Sequence, residues 1–418
     1  MNRHLKNVIA ASATAVLLAT PAFAARRTAL SNNVLIKDKD DVFIYPQLML
    51  DYRNLINFDY GTGETAGSGM LLLGSRTFGF GVLVNRADIN PGPLAEAGTS
   101  FLWNYSRNYE LDNLGSPSDV LGEGATIPAG GYPDPLTFID LVMGFDLGRN
   151  LLGFRLGIGT GGDSAANGDE SNSQFALKLT GGMSFGKNFD LAADIVYATG
   201  QQTSGGDLQY SGSLFALNAN LRGFSPMGEK IDLGYFGQLA FGSQTLTATE
   251  DNPGTPNESA SDVRNDVLVV GGLGPVYKLN KMNSTVAAYG VIGLGFSGRD
   301  PNTVNDNGDY GGSEDDGTSD LKIIIPGFRM SLETSLLDWL VFRSGMEYTW
   351  MYNSDTTGDG EDASSLQEGN FGWNAGLGII IGDFTLDGAF QQNWLTQGPD
   401  FLGGDAPMFL EVSATYTF

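Results

Sequence analysis

The chain offers very few side chains for nucleophilic or metal chemistry. Among its 418 residues there is no Cys, and the one His is His4. His4 falls in a stretch that we assign below to a removable signal peptide. We therefore expect a mature protein without a Ser-His or Cys-His nucleophile, without a His- or Cys-ligated metal, and without disulfides. The sequence predicts that the protein is not an enzyme.

Acidic residues form the densest clusters of potential ligands. Their carboxylates are the hard oxygen donors that Ca²⁺ and Mg²⁺ prefer, but none of the clusters has the spacing of a calcium-binding loop. The weak metal candidates are Asp306, Asp309, Asp315, Asp316, Asp359 and Glu361. We favour solvated loops, with divalent ions bridging them to lipopolysaccharide as an option, and expect no cofactor.

The N-terminus has the pattern of a secretory signal peptide. Arg3 and Lys6 precede an apolar run, and Ala22-Phe23-Ala24 provides a small-x-small cleavage site before Ala25. The apolar run is too short for a membrane anchor. We assign residues 1–24 to the signal peptide and residues 25–44 to a periplasmic N-terminal segment. A net charge of −25 argues against nucleic acid as a partner.

From residue 45 onward, apolar side chains take every second position in one segment after another. One segment sets Ile139 and Leu141 against Asp140. Long alternation of this kind predicts half-buried strands. The apolar face is bulky and ends in aromatic residues such as Trp350, whereas the other face is small and polar. This combination favours a transmembrane barrel over a soluble sandwich.

Short turns alternate with long acidic connections along residues 45–418, as expected for an array of membrane hairpins. We predict an all-β fold: a transmembrane antiparallel up-and-down β-barrel of about 16 strands, with roughly 14 to 18 allowed. The first strand is expected at about residues 45–60. The longest connection, residues 87–135, either constricts the lumen, caps the barrel outside, or contains an additional strand.

The last ten residues carry a family resemblance. The run from Phe409 to Phe418 has a terminal Phe and apolar residues at every second place before it. It resembles the C-terminal strand signal of Gram-negative outer-membrane barrels, the porin-like class in general. The resemblance implies an outer-membrane location, closure of the last strand on the first, and recognition of the Phe418 strand by the barrel assembly machinery. A homotrimer is left open.

Charged residues on the polar face are the candidate functional residues. In the predicted register the inward acids outnumber the inward bases, which would make a wet pore mildly cation-preferring. Alternatively, the charges pair with one another and fill the interior. The pore-lining candidates are Asp140, Arg155, Lys178, Asp194, Arg222, Arg329, Glu333, Arg343, Glu347, Asp387 and Glu411. Asp146, Asp190 and Asp232 also face inward in this register.

These observations favour a porin-like channel for passive diffusion of small hydrophilic solutes, with a mild preference for cations. One alternative is a structural or adhesive barrel with a blocked lumen, whose acidic loops face lipopolysaccharide or partners. A third is a transporter of hydrophobic compounds. Such transporters usually have an N-terminal plug, and residues 25–41 before the predicted first strand are few for one.

Overall fold

The computed structural model describes residues 25–61, 68–84, 137–164, 171–204, 208–250, 258–279, 283–305, 318–356, 362–367, 371–390 and 409–418. These residues form one α-helix, two 3₁₀ helices and 17 strands. No helix within these ranges has the length and hydrophobicity to cross a membrane.

The strands pair antiparallel in chain order, and β17 pairs with β1. Their bounds are β1 Leu55–Gly61, β2 Ser68–Gly74, β3 Phe78–Val84, β4 Thr137–Asp146, β5 Asn150–Ser164, β6 Ser171–Phe185, β7 Phe189–Ser204, β8 Leu208–Pro226, β9 Ile231–Glu250, β10 Glu258–Leu279, β11 Ser284–Asn305, β12 Thr318–Leu337, β13 Leu340–Thr356, β14 Asp362–Gln367, β15 Gly372–Ile381, β16 Phe384–Phe390 and β17 Phe409–Thr417.

β14 and β15 occupy a single position in the sheet. Both pair with β13, β14 along residues 351–356 and β15 along residues 340–347. The sheet therefore has 16 positions and closes on itself where β1 lies between β17 and β2. This closure leaves no free sheet edge, the condition for a β-sheet in lipid. The predicted fold class and the closure through the Phe418 strand are confirmed.

Alternation along each strand separates an apolar outer wall from an inner wall. On β4, Asp140 and Val142 are 1% and 0% exposed, whereas Ile139 and Leu141 are 44% and 38% exposed. The same parity continues around the barrel, where residues such as Leu239 point outward. Large apolar side chains are stable on an outer surface only in contact with lipid, so the outer wall is the membrane-facing surface.

The chain occupies the barrel interior before it forms the wall. Residues 25–52, which we call the plug, contain helix α1 (Ala25–Ala29) and 3₁₀ helices at Lys39–Phe43 and Pro46–Leu50. Helix α1 packs against β13, β15, β16 and β17, and the second 3₁₀ helix packs against β3, β4, β5 and β6. These strands lie on opposite sides of a closed sheet. The plug therefore lies in the lumen.

Two expectations for the N-terminus are wrong. The first strand begins at Leu55 and not near residue 45, and the segment expected in the periplasm lies inside the barrel. Asp38 caps the first 3₁₀ helix by accepting a hydrogen bond from the amide of Asp40, and Pro46 begins the second. Residues 46–50 are buried on every side because the wall surrounds them. Their side chains therefore do not alternate between buried and exposed, as those of a wall strand do.

Candidate functional site

The plug sits at the end of the barrel where the connections between strands are short, such as residues 186–188. We call this the short-turn end, and the hairpin arrangement of outer-membrane barrels places it in the periplasm. The Lys37 ammonium donates to the main-chain oxygen of Lys187 in this turn (3.2 Å). This hydrogen bond thus fixes the position of the plug along the barrel axis, at the short-turn end.

A buried ion-pair cluster, which we call the Asp41 cluster, joins the plug to β7 and β8. Asp41 Oδ1 accepts from Arg27 Nη1 (2.7 Å) and Asp41 Oδ2 accepts from Arg222 Nη1 (2.7 Å). Arg222 Nη2 also donates to Asp190 Oδ2 (3.0 Å). All four side chains are at most 3% exposed. Buried pairs with this many hydrogen bonds hold their geometry strongly, because freeing one partner leaves an uncompensated charge.

Arg222 makes two further contacts with the plug. Its Nη1 donates to the main-chain oxygen of Val34 (3.1 Å), and its guanidinium lies 4.8 Å from the centre of the Tyr45 ring. A cation over an aromatic face is attracted by the ring quadrupole. One wall residue therefore holds three separate parts of the plug.

A second, partly buried cluster joins the start of the plug to β12, β13 and β16. Glu333 accepts from Arg26 Nε (2.8 Å) and from Arg343 Nε (2.7 Å). Arg343 Nη1 also pairs with Asp387 Oδ1 (2.5 Å). Arg26 pairs in addition with Asp38 inside the plug. The two clusters alternate positive and negative charge between plug and wall, so each holds the plug by complementary charge.

Two carboxylates of the plug, Asp38 and Asp41, have lowered pKa values because of these partners. Burial alone would raise the pKa of Asp41, but the guanidinium groups of Arg222 and Arg27 outweigh it and hold the pKa below its usual value. The same balance acts on Asp38. Burial alone would raise its pKa, but the Arg26 guanidinium lowers it by more, so the pKa lies well below its usual range. Both carboxylates are therefore ionised in the seated plug.

Further polar contacts tie the plug to other strands. Arg155 on β5 donates to the main-chain oxygen of Phe43 (2.8 Å) and to Asp140 Oδ2 (2.9 Å). Arg329 on β12 pairs with Glu347 and donates to the main-chain oxygen of Asn32 (3.3 Å). Plug contacts therefore reach side chains on both sides of the lumen.

Two apolar clusters complete the packing. Val34, Leu35 and Ile36 pack with buried residues of β9 to β12 such as Tyr289, and the side chains of the second 3₁₀ helix, such as Met49, pack with buried residues of β2 to β4. Both clusters contain side chains that are at most 8% exposed. Burial of this apolar surface favours the seated plug by the hydrophobic effect.

Two wall glycines make room for the plug at Gln47. A Cβ atom on Gly153 would lie 2.1 Å from the main-chain nitrogen of Gln47, and one on Gly182 would lie 1.9 Å from its Oε1. Real Cβ atoms do not approach so closely. Gly153 on β5 therefore leaves room for the plug backbone, and Gly182 on β6 leaves room for the Gln47 side chain.

Beyond the plug, the inner wall changes character. Next to it lies a polar belt on β6 to β9, made of Lys178, Thr180, Asp194, Asn218, Asn220 and Gln238, all less than 9% exposed. Lys178 Nζ lies 3.8 Å from Asp194 Oδ1, which also accepts from Asn218 (2.8 Å). Farther from the short-turn end, inward positions on β6 to β8 are apolar, namely Ala176, Val196, Ala198, Leu214 and Ala216. On β9 to β12 the buried apolar residues Ala240, Leu268, Val270, Val291 and Ile324 belong to the same cluster as Val34, Leu35 and Ile36 of the plug.

The structure places every predicted lumen candidate on the inner wall, and all of them except Glu333 are buried. Arg155, Arg222, Arg329 and Glu333 contact the plug directly, as described above, and Glu411 accepts from the Thr28 hydroxyl (2.6 Å). Arg343 is linked to the plug through Glu333. Asp140, Glu347 and Asp387 pair with these arginines, and Lys178 and Asp194 form the belt.

Three other predicted positions lie elsewhere on the wall, and several predicted segments lie outside the described residues. Asp190 belongs to the Asp41 cluster, whereas Asp146 accepts from the amide of Gly148 in a turn and Asp232 pairs with the exposed Lys278. The signal peptide, residues 87–135 and the metal candidates Asp306, Asp309, Asp315, Asp316, Asp359 and Glu361 lie outside the described residues. Within the described ranges, no three His, Cys, Asp or Glu side chains are grouped to hold a metal ion.

The sequence does not point to the plug residues that pair with the wall charges in the two clusters. Arg26, Arg27, Asp38 and Asp41 precede the predicted barrel and were not considered as partners of wall charges. A signal was present, because Asp38 followed three residues later by Asp41 is the spacing of a capping box. That spacing indicates a short helix where the prediction had an unstructured segment.

No protein-family model and no curated protein sequence matches the chain. Similar solved structures include the toluene transporter TodX from Pseudomonas putida (11% identity, 95% of this chain and 99% of that chain, TM-score 0.38). The translocator domain of autotransporter NalP from Neisseria meningitidis (14%, 65% and 90%, 0.30) is also similar. So is the ferric-catecholate import receptor Fiu from Escherichia coli (9%, 87% and 81%, 0.33).

With TM-scores this low, the similar structures carry no information about substrate. The class follows from the barrel itself: a closed antiparallel sheet of 16 positions, an apolar outer wall and a charged inner wall. The protein is an outer-membrane β-barrel protein whose lumen holds its own N-terminal segment.

Proposed function

We propose that this protein is a gated outer-membrane channel in which the plug closes the periplasmic half of the lumen. The observation that supports a gate most directly is that residues 25–52 contact the wall on both sides of the barrel, through the buried pair Asp41–Arg222 and the partly buried pair Arg26–Glu333. Charged contacts can be exchanged for water when the plug moves, whereas a purely apolar core cannot be hydrated without a large loss of free energy. A plug held in this way suits a reversible gate.

We further propose that the channel serves small, largely apolar molecules. The apolar inner wall of β6 to β8 beyond the polar belt supports this choice, because inward residues such as Ala198, Leu214 and Ala216 offer no hydrogen bonds to a hydrated solute. A molecule with an apolar body would displace water there favourably.

The second candidate is the passive channel for hydrophilic, mildly cation-preferred solutes that the sequence predicts. The polar belt favours it. The side-chain oxygens of Asn218, Asn220 and Gln238 have no hydrogen-bond donor within the described residues and could accept from a solute. Contacts with lipopolysaccharide and a homotrimer stay predictions from the sequence.

The gate can be tested with an engineered disulfide, because the chain has no Cys of its own. Asn374 Nδ2 donates to Ser31 Oγ (3.0 Å), so Ser31→Cys with Asn374→Cys joins plug to wall. The matched control is Asn283→Cys with Ser335→Cys, whose parent side chains lie 3.3 Å apart between two wall strands. Oxidation of the first pair locks the plug, and oxidation of the control leaves it free.

Uptake is then measured in a Gram-negative host lacking its own porins, before and after oxidation and again after reduction. We expect the protein to speed entry of a labelled aromatic hydrocarbon, oxidation of the plug pair to abolish the gain, reduction to restore it, and the control pair to have no effect. Uptake of arabinose in place of the hydrocarbon would favour the hydrophilic channel. Uptake of neither solute would identify a blocked structural barrel and overturn the proposal.

A further inference from the structure

The first residue of the plug is bonded to the seam where the barrel closes. The main-chain nitrogen of Ala25, which is 0% exposed, donates to Ser413 Oγ on β17 (3.0 Å). The Ser413 hydroxyl in turn donates to Asp59 Oδ1 on β1. Asp59 and Ser413 face each other directly in the β1–β17 register. A chain of hydrogen bonds thus runs from the plug to both strands of the seam.

The surroundings of Ala25 are buried and acidic. Asp59 is 2% exposed and accepts from Asn57 Nδ2 (2.8 Å) and Ser68 Oγ (3.4 Å). Glu411, two residues before Ser413 on the same inner face, is 7% exposed. Buried carboxylates favour a nearby cation, because charge burial is costly unless the charge is paired.

The predicted signal-peptide cleavage would create such a cation. While a residue precedes Ala25, its nitrogen is a neutral amide with one hydrogen to donate. Cleavage between Ala24 and Ala25 replaces that amide with an α-ammonium group, which carries one positive charge and three hydrogens. The site holds acceptor oxygens of Ser413 and Asp59 in line with this nitrogen.

We infer that the inner face of the β1–β17 seam is a binding site for the chain's own mature amino terminus, with Asp59 as the counter-ion of the Ala25 ammonium group bridged by Ser413. The site makes seating of the plug depend on processing of the N-terminus. The inference rests on the predicted cleavage position and is independent of what the channel transports.

The test compares the exported protein with a variant in which Ser-Gly is inserted between Ala24 and Ala25. The insertion leaves the fold of the wall unchanged and replaces the ammonium at Ala25 with an amide. Mass spectrometry first establishes where each mature chain begins. Trypsin cleavage after Arg26 and Arg27 in the folded, detergent-solubilised barrel then reports how often α1 leaves its seat.

We expect the insertion and Asp59→Asn each to speed this cleavage roughly tenfold, the factor that corresponds to about 1.4 kcal/mol. Together they should have little more effect than either alone, because both remove the same pair. Asp232→Asn, which alters a partly exposed wall carboxylate paired with Lys278, is the control and should change nothing. If Asp59→Asn does not fold, Ser413→Ala removes the bridge and keeps the carboxylate.

Three results would overturn the inference. A mature chain that begins elsewhere than Ala25 removes the ammonium group from the site. Equal cleavage rates in the exported and inserted proteins mean that the charge at Ala25 does not hold the plug. Fully additive effects of the insertion and Asp59→Asn mean that Asp59 acts on the seam alone. Each of these outcomes leaves the proposed transport function to be judged by the disulfide experiment.

Discussion

Replacing Arg222 by Met should unseat the plug far more often without opening the barrel. Met keeps much of the volume of the side chain and removes the guanidinium that pairs with Asp41 (2.7 Å) and reaches the oxygen of Val34 (3.1 Å). Asp190 also loses its guanidinium partner in this variant, but the Lys37 ammonium of the plug lies 3.7 Å from Asp190 Oδ2 and keeps a cation beside that carboxylate.

The magnitude follows from what Asp41 retains. Its other oxygen still accepts from Arg27 (2.7 Å), so the carboxylate is not left without a cation. The loss is then at least the buried charge-assisted hydrogen bond to Asp41, about 2 kcal/mol, to which the bond to the Val34 oxygen adds, and not the larger cost of an isolated buried charge. A difference of about 2 kcal/mol raises the open population roughly thirtyfold.

Trypsin measures that population, because the plug offers cleavage sites at Arg26, Arg27, Lys37 and Lys39. When the plug recloses faster than trypsin cuts, the cleavage rate is proportional to the open fraction. The control is Lys278→Met, which removes a pair of similar length to Asp232 (2.7 Å) whose lysine is 57% exposed. An exposed pair of this kind contributes at most about 1 kcal/mol, and it does not touch the plug.

Two results would refute the reasoning. The first is that Arg222→Met protein is cleaved at the wild-type rate, although its change of gel mobility on heating shows that the barrel is closed. The other is an equal acceleration in Lys278→Met, because that would show trypsin to report general loosening of the wall. Either result would mean that the Asp41 cluster does not hold the plug.

Two further predictions concern acid and the wall glycines. Because the pKa values of Asp38 and Asp41 are lowered in the seated plug, their contribution to seating is complete above their usual pKa, about 4, and is lost as the pH falls below it. Pepsin cleavage of the plug, corrected with an unfolded peptide substrate, should therefore accelerate below about pH 4; a rate that stays flat would contradict the ion-pair account, and Asp41→Asn should weaken the dependence. Gly182→Ala should release the plug to trypsin because its Cβ would overlap Gln47, whereas Gly181→Ala has open space around its Cβ and should behave as wild type; equal behaviour of the two variants would show that Gln47 can shift.

The wall was predictable because its physics is local. A strand in a closed sheet places successive side chains on opposite faces, so Ile139 and Asp140 could be assigned to opposite faces from their types alone. The inward charges could be found for the same reason, since Arg329 or Glu347 facing lipid would cost several kcal/mol.

The plug could not be derived in this way because its burial has no period. Residues such as Leu48 and Met49 are surrounded by wall on every side, so apolar residues follow one another without alternation. Its partners are also far away in the chain, as with Asp41 and Arg222, which are 181 positions apart. Periodicity identifies which face of an element is buried, but it does not identify which distant segment buries it.

The apolar inner wall was the second feature that the sequence left open. Ala198 and Val270 sit at inward positions of strands that also carry Asp194 and Asp266. Small apolar residues at such places are as compatible with strand curvature as with an apolar passage. Only their position relative to the plug separates the two zones of the lumen.

The bond between Ala25 and Ser413 joins residues that are 388 positions apart. The ribosome makes Ala25 at the beginning and Ser413 near the end, so this contact waits for almost the whole chain. Loop closure over such a separation is slow, and it competes with every earlier hairpin of the wall. Since β17 also completes the ring, the bond between Ala25 and Ser413 forms on the same strand pair that closes the barrel. Closure of the ring and seating of the N-terminal segment are therefore coupled at one pair of strands.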